Sequence, residues 1–310
     1  MALTVYIPTL RAGERLARTL AALEAQEPRP EVVVADNSEE GLAERLAERF
    51  PWVRMLGFGE NLGFGAALNR AVGEAPGDPI VFLNDDVTVE PGFVAGMLAV
   101  LDAEVDMVAA VLLMEREPER IDSAGVLADR TLLGFDYLNG EPAAALASAE
   151  DPLGPTGGAA LYRREAFERV GGFDERIFLY YEDLDLALRM RRAGSRCRLA
   201  PSARGLHAYS ETLGANSARK YAMTGWSRGY LLRVYGFARR PLLLARAILV
   251  EAVICAGQLA FQRTARGLRG RLRGWRAGAG VERRRLPESG LSKISVAEAL
   301  RARRQRHQGS

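Results

Sequence analysis

Ile80-Val81-Phe82-Leu83-Asn84-Asp85-Asp86 sets four apolar residues directly against three polar ones. Four apolar residues without alternation suit a strand covered on both faces. The abrupt polar end suits a strand that emerges at an accessible edge. Working outward toward the N-terminus, the same unit recurs. Residues 63–72 have helical spacing, 53–56 are strand-like and 42–50 are helical. Residues 31–35 are β-branched and end in Asp36-Asn37-Ser38. Residues 13–27 carry Leu16, Leu20 and Leu23 on one helical face, and Pro28 and Pro30 break the pattern. Residues 3–7 are a short apolar run ended by Pro8. In the other direction, 91–101 read as a helix and 107–113 as a fifth strand. Strand alternating with helix predicts an α/β fold, a Rossmann-like, mostly parallel sheet with helices on both faces. Such sheets bind ligands outside the carboxyl ends of their strands. Thr9, Asp36 and Asn84-Asp85-Asp86 follow the first, second and fourth strands, so they are expected along one edge.

Beyond the fifth strand, 114–155 are less regular and suggest short strands and a mobile loop. Thr156-Gly157-Gly158 then opens a strand reaching Tyr162. A helix over 163–170 is closed by Gly171-Gly172, and a helix over 183–193 stops at Gly194. A short strand over 198–200 and a long helix over 216–235 complete the pattern.

The chain has 310 residues, 48% of them hydrophobic, enough for one full core and an extension. Its net charge of +3 is a sum of opposites. Residues 237–310 hold 17 basic and 4 acidic side chains, a balance of +13, against −10 for residues 1–236. The basic part attracts phosphates, on lipid or on nucleic acid. No nucleic-acid motif or aromatic interleaving accompanies it, so no nucleic-acid partner is expected. Residues 241–262 are apolar and about long enough to span a bilayer. They contain Arg246 and Glu251, however, and Glu251, Gln258 and Gln262 share one helical stripe. An in-plane helix on an anionic membrane surface is expected, with Arg263, Arg266, Arg269, Arg271, Arg273 and Arg276 among lipid phosphates. The alternative is an ordinary helix packed on the domain with a solvated basic end. The division is then a catalytic domain over 1–236, a membrane-associating helical segment over 237–276 and a poorly ordered basic tail over 277–310. Cys197 and Cys255 have no metal-ligand spacing and form no disulfide framework, which fits a reducing compartment. The strand-like start leaves no signal peptide to expect. The expected location is cytoplasmic, peripheral on the inner face of the plasma membrane.

Three clusters carry chemistry. Adjacent carboxylates such as Asp85 and Asp86 repel and are relieved by a cation or by solvent. A hard oxygen site with few protein ligands suits Mg²⁺ or Mn²⁺ bound together with a diphosphate. Phe178-Leu179-Tyr180-Tyr181-Glu182-Asp183-Leu184-Asp185 places three carboxylates among aromatic and apolar residues, where a general base can form. Asp183 could equally cap the helix that follows. His207 is one of two histidines, with a metal or catalytic role open to it. The glycine-rich 57–65 loosely imitates a dinucleotide fingerprint. Its spacing is off by one, and a turn that lets backbone approach a phosphate or sugar explains it as well.

Taken together, the motifs resemble the inverting glycosyltransferases of family 2, with the GT-A fold, and especially their rhamnosyltransferase-like branch. The matching segments are Val5-Tyr6-Ile7-Pro8-Thr9, Val33-Val34-Ala35-Asp36-Asn37-Ser38, Glu60-Asn61-Leu62-Gly63-Phe64-Gly65 with Asn69, and Phe82 to Asp86. Thr156-Gly157-Gly158, Gly171-Gly172-Phe173-Asp174, Tyr181 to Asp185 and His207 follow in the same order, so the resemblance covers roughly 3–235. It implies that Pro8, Thr9 and Asp36 meet the nucleotide, and that Asn61, Gly63, Gly157 and Gly158 line the donor pocket. Asn84 and Asp85 would lie near ribose and diphosphate. Asp86 would bind the metal, completed by His207, and the family's first Asp is here Asn84. Asp183 would be the base that deprotonates the acceptor hydroxyl, with Glu182 assisting. The implied donor is a UDP- or dTDP-sugar, the sugar inclining to rhamnose, and the implied acceptor is a glycan or a polyprenyl-linked glycan of the cell envelope. The loop over 114–155 is a candidate lid. Competing readings are a nucleotidyltransferase or NAD-binding oxidoreductase, and a non-catalytic membrane scaffold. Intact Asp86, Asp183 and His207 argue against the scaffold.

Overall fold

The computed structural model describes residues 3–11, 13–208 and 217–292, leaving aside the side chains of 43–45. β1 (Thr4–Thr9), α1 (Glu14–Glu24), β2 (Glu31–Asp36), α2 (Ala43–Arg49), β3 (Arg54–Gly57), α3 (Phe64–Glu74) and β4 (Ile80–Leu83) alternate as the pattern demands. The short β5 (Val87–Val89) and α4 (Phe93–Ala99) precede β6 (Met107–Met114), which turns back into β7 (Glu117–Ser123). β8 (Val126–Ala128) and β9 (Gly134–Asp136) form a separate ribbon. Then come β10 (Ala159–Tyr162), α5 (Arg164–Arg169), α6 (Glu182–Arg192), β11 (Cys197–His207), α7 (Ala218–Val234), α8 (Pro241–Gln262) and α9 (Arg266–Ala277).

The main sheet runs β3-β2-β1-β4-β10-β6-β11-β5, with β7 beside β6. Its first half is parallel, as expected. The second half is mixed, because β10 enters antiparallel between β4 and β6 and β5 lies antiparallel to β11. That reversal matters for the site, since it brings the beginning of β10 to the edge where β4 ends. Strands buried on both faces still alternate their side chains. Tyr6 and Phe82 point to one face, where Phe82 meets Phe167 and Phe173 at ring distances of 5.4 Å each. Val5, Ile7, Val81 and Leu83 point to the other, against Leu16, Leu20 and Leu23 of α1. The 3.6-residue spacing of those leucines is what makes α1 a helix with one covered face.

β11 is longer than the short strand expected. It continues past Pro201 through an irregularity between Ala200 and Arg204, and carries His207 at its end. α6 starts from two residues in the left-handed region, Tyr180 (φ 71°) and Tyr181 (φ 73°). Its first turn holds Glu182, Asp183 and Asp185 and its last turn Arg189, Arg191 and Arg192, each set complementing the helix dipole.

The C-terminal part packs on the rest of the chain in two places. α9 lies against α7. A Cβ at Gly225 or Gly229 of α7 would strike backbone of α9, and one at Gly270 or Gly274 of α9 would strike backbone of α7. Two glycine pairs four residues apart let the helix axes approach closely. In addition, residues 277–292, expected to be poorly ordered, pack on the domain. Leu286 and Leu291 join the cluster beneath α6 and α7, and Arg284 pairs with Asp174 and Asp185 at 2.5 Å each. Buried carboxylates supply a partner that composition alone does not reveal. Residues 293–310 lie outside the described residues.

Candidate active site

The carboxyl ends of β1, β2 and β4 bring Thr9, Asp36 and Asn84-Asp85-Asp86 to one edge of the sheet. Because β10 runs the other way, Gly157 and Gly158 arrive at the same edge, and Asn84 N donates to Gly158 O at 3.0 Å. A Cβ at Gly158 would lie 2.8 Å from Leu112 Cδ1, so only glycine passes there without displacement. Gly157 N donates to Asp183 Oδ2 at 3.1 Å, while Asp183 Oδ1 accepts from Leu184 N at 2.7 Å. The half-buried Asp183 is thus aimed by backbone from two elements.

Glu182, beside it, is buried, and its Oε2 has no hydrogen-bond partner. Burial raises its proton affinity above the usual carboxylate range, and the charge of Asp183 raises it further.

Asp85, Asp86 and His207 gather at the end of β4. His207 pairs with Val87 in the β11–β5 register, which sets the ring beside the Asp86 turn. Its Nε2 lies 3.3 Å from Asp86 Oδ1 and its Nδ1 lies 2.6 Å from Asp122 Oδ2. Burial works against the charged ring, but Asp122 and Asp86 outweigh it and push His207 up to about 10. Burial likewise opposes ionisation of Asp86, yet His207 holds that carboxyl below its ordinary value. Asp85 goes the other way. Burial pushes it up to about 6, against a 2.6 Å hydrogen bond from the Thr9 hydroxyl and with the charge of Asp86 adding to the rise.

Among the described residues no group of three or more His, Cys, Asp or Glu side chains is arranged to hold a metal alone. Asp86 and His207 nevertheless form a donor set that fits a hard divalent ion completed by substrate oxygens and water. Asp122 supports the fit, because a carboxylate on Nδ1 directs Nε2 toward Asp86. Asp122 was absent from the sequence expectation. Its signal was weak, Ile121-Asp122-Ser123 inside the stretch 114–155 that read as irregular.

The remaining predicted residues form the floor and the hinge of the site. Asp36 is fully buried, and its Oδ1 accepts from Ser38 N at 3.1 Å and Ser38 Oγ at 2.6 Å, turning the chain after β2. Asn37, also unforeseen as a site residue, donates to Asn61 Oδ1 and Gly63 O at 3.2 Å each and accepts from Leu62 N at 2.8 Å. Asn61 in turn accepts from Gly63 N at 3.0 Å. Gly63 has φ 89°, and a Cβ there would lie 2.6 Å from Phe178 O, to which Phe64 N donates at 2.9 Å. The 61–64 loop is therefore the seat of the 178–183 turn. Pro8 is half-buried at the end of β1. Asn69 exchanges two 2.9 Å hydrogen bonds with the backbone of Phe173, which holds the Gly171-Gly172-Phe173-Asp174 turn.

An Asp-His pair suited to a metal thus lies on one side of this sheet edge and a backbone-aimed carboxylate on the other. The architecture is similar to a solved mannosyltransferase from Pyrobaculum calidifontis in complex with GDP-Man and Mn²⁺ (TM-score 0.55, 19% identity, 100% of this chain and 88% of that one). It is also similar to GalNAc-T7 solved with UDP, GalNAc and Mn²⁺ (TM-score 0.62, 16% identity, 91% of this chain and 55% of that one). Sequence narrows the class. Residues 4–171 match the family described as Glycosyl transferase family 2. The N-acetylglucosaminyl-diphospho-decaprenol L-rhamnosyltransferase of Mycobacterium tuberculosis is 34% identical over 273 residues, 77% of this chain and 87% of that protein. Rhamnosyltransferase WbbL of Escherichia coli K12 is 24% identical over 218 residues, 66% of this chain and 83% of that protein. The chain belongs to glycosyltransferase family 2 and is a glycosyltransferase.

Proposed function

We propose that the chain transfers a sugar, rhamnose before others, from a UDP- or dTDP-linked donor to a hydroxyl of a polyprenyl-diphosphate-linked glycan in cell-envelope synthesis. The observation that carries this reading is the backbone relay across the site. Asp183 is tied to Gly157 N, and Gly158 O is tied to Asn84 N, so the acceptor base and the Asp86–His207 pair share one rigid edge. The named substrate of the mycobacterial relative supports a lipid-linked acceptor.

Asp86 and His207 would hold Mg²⁺ or Mn²⁺, whose charge stabilises a departing diphosphate. Asp183 takes the acceptor hydroxyl proton at a carboxylate oxygen as the new bond forms, and a single displacement inverts the anomeric centre. Burial favours the neutral form of Glu182 beside it. Asp36, Thr9 and the 61–63 loop bound the donor side, and Gly157 and Gly158 let β10 pass close to Phe64 and Leu112 beside it.

The same reading places the enzyme on an anionic membrane. Of the ten large apolar side chains exposed among the described residues, eight lie on α8 and α9, which singles out that surface. Leu242 is 88% and Phe261 82% exposed. α8 is long and apolar enough to cross a membrane by length and composition. Exposed Arg239, Arg240, Arg263, Arg266, Arg269 and Arg273 flank it, at the level of lipid phosphates. Of the stripe of Glu251, Gln258 and Gln262, the first two face the protein, where buried arginines on α7 and α9 pair with Glu251, and Gln262 stays exposed.

The deciding experiment is Mn²⁺-dependent binding of UDP, dTDP, GDP and NAD, with Asp86→Ala as control. Metal-dependent binding of UDP or dTDP, lost in the variant, is the expected result. Binding of neither UDP nor dTDP to the folded protein would overturn the proposed donor class.

A further inference from the structure

Among the described residues Arg228 is the largest fully buried side chain, and it belongs to none of the motifs above. It lies in the middle of α7, and its guanidinium joins three separate parts of the molecule. Nε donates to Glu251 Oε1 of α8 at 2.7 Å, and Nη2 lies 2.5 Å from the same oxygen. Nη2 also donates to Thr131 O at 3.1 Å, and Nη1 donates to Leu132 O. The guanidinium carbon sits 5.8 Å from the centre of the Tyr181 ring. Arg271 of α9 donates to the other oxygen of Glu251.

Each of these contacts leads somewhere. Tyr181 is the second of the two left-handed residues that start α6, directly before Glu182 and Asp183. Such a backbone persists only where its surroundings hold it, at about 1–3 kcal/mol per residue. The 129–134 segment packs on the same ring, since a Cβ at Gly134 would lie 3.1 Å from Tyr181 Cε1. Leu132 is itself left-handed (φ 58°). Glu251 is the inward-facing carboxylate of a helix whose opposite face is bare apolar surface. Helix packing alone does not explain the network, because well-packed apolar residues hold helices together as well as buried ion pairs do.

We propose that Arg228 is a positioning residue of the transfer reaction, which ties the seating of α8 on lipid to the turn that aims Asp183. The inference rests on the reading that α8 meets a membrane. A bilayer against its outer face fixes α8, Glu251 then fixes the guanidinium, and the guanidinium fixes Tyr181 together with the Thr131 and Leu132 carbonyls.

Hydrogen exchange of the full chain, with and without vesicles of equal parts phosphatidylglycerol and phosphatidylcholine, tests this without knowledge of the substrate. In the wild type, vesicles should slow exchange in α8 and also in 129–134 and 178–184. Arg228→Lys keeps the charge beside Glu251 but cannot fork to two carbonyls and an aromatic face. It should keep the slowing in α8 and lose it in the other two segments. A merely structural arginine would not produce a wild-type response at 178–184. Wild-type slowing confined to α8 overturns the coupling and leaves the membrane reading standing. No slowing in α8 and no co-sedimentation with vesicles overturns both. If the lysine variant fails to fold, Glu251→Gln, which weakens the α8 end of the same link, takes its place with the same expected loss at 129–134 and 178–184; retained slowing there overturns the role of Arg228.

Discussion

Metal affinity should climb with pH because a proton on His207 competes with the ion. The ring is held at about 10 by Asp122 and Asp86, against burial, so it is charged throughout the neutral range. A metal takes only the neutral imidazole, and an ion at Asp86 and His207 must displace one proton. The sign follows directly. A raised pKa favours the proton at low pH, so affinity rises as pH rises. The gain is about tenfold per unit, ~1.4 kcal/mol each, or about a hundredfold between about pH 6.5 and about pH 8.5. Mn²⁺ titrations followed by electron paramagnetic resonance give the affinities. Calorimetry in two buffers of different ionisation enthalpy counts the proton released. Asp122→Asn removes the 2.6 Å partner of Nδ1, lowers the proton affinity of the ring and flattens the profile. It also frees the ring to turn, which should cost about 10–100-fold in affinity at the upper end of the range. Intact Mn²⁺ binding with a flat profile and no released proton would show that His207 is not a ligand.

Three further outcomes follow from the same geometry. Asp183→Asn should keep nucleotide binding and lower kcat by about 10²–10⁴-fold, read as product formed per enzyme at saturating donor; near-normal turnover would remove Asp183 as the base. Gly63→Ala forces a Cβ to 2.6 Å from Phe178 O at φ 89°, and should lower stability by about 1–3 kcal/mol and reduce kcat by displacing the 178–183 turn, with thermal unfolding and turnover measured on the same preparation. Leu249→Glu with Phe261→Glu changes only exposed positions of α8 and should release the protein from anionic vesicles without altering Tm; retained co-sedimentation would place the membrane contact elsewhere.

The first half of the fold was legible because its information is local. Unbroken apolar runs such as Val32-Val33-Val34 and Ile80-Val81-Phe82-Leu83 identify strands buried on both faces, and the polar residues ending them identify the edge. Asp86, Asp183 and His207 could be named from motif order; in the fold Asp86 and His207 adjoin, and Asp183 is tied to Gly157. Long-range pairing decided the rest. Asp122 reaches His207 across 85 positions because β7 and β11 both pair with the end of β6, and no spacing along the chain encodes that meeting. The stripe of Glu251 and Gln258 was visible in sequence, but its direction was not. A periodic pattern says which residues share a face, whereas what the face meets depends on Arg228 and Arg271, 23 and 20 positions away. Glycines at 225, 229, 270 and 274 belong to the same class of fact. Each is unremarkable alone, and only the crossing of α7 with α9 turns them into the contact that joins the basic extension to the catalytic domain.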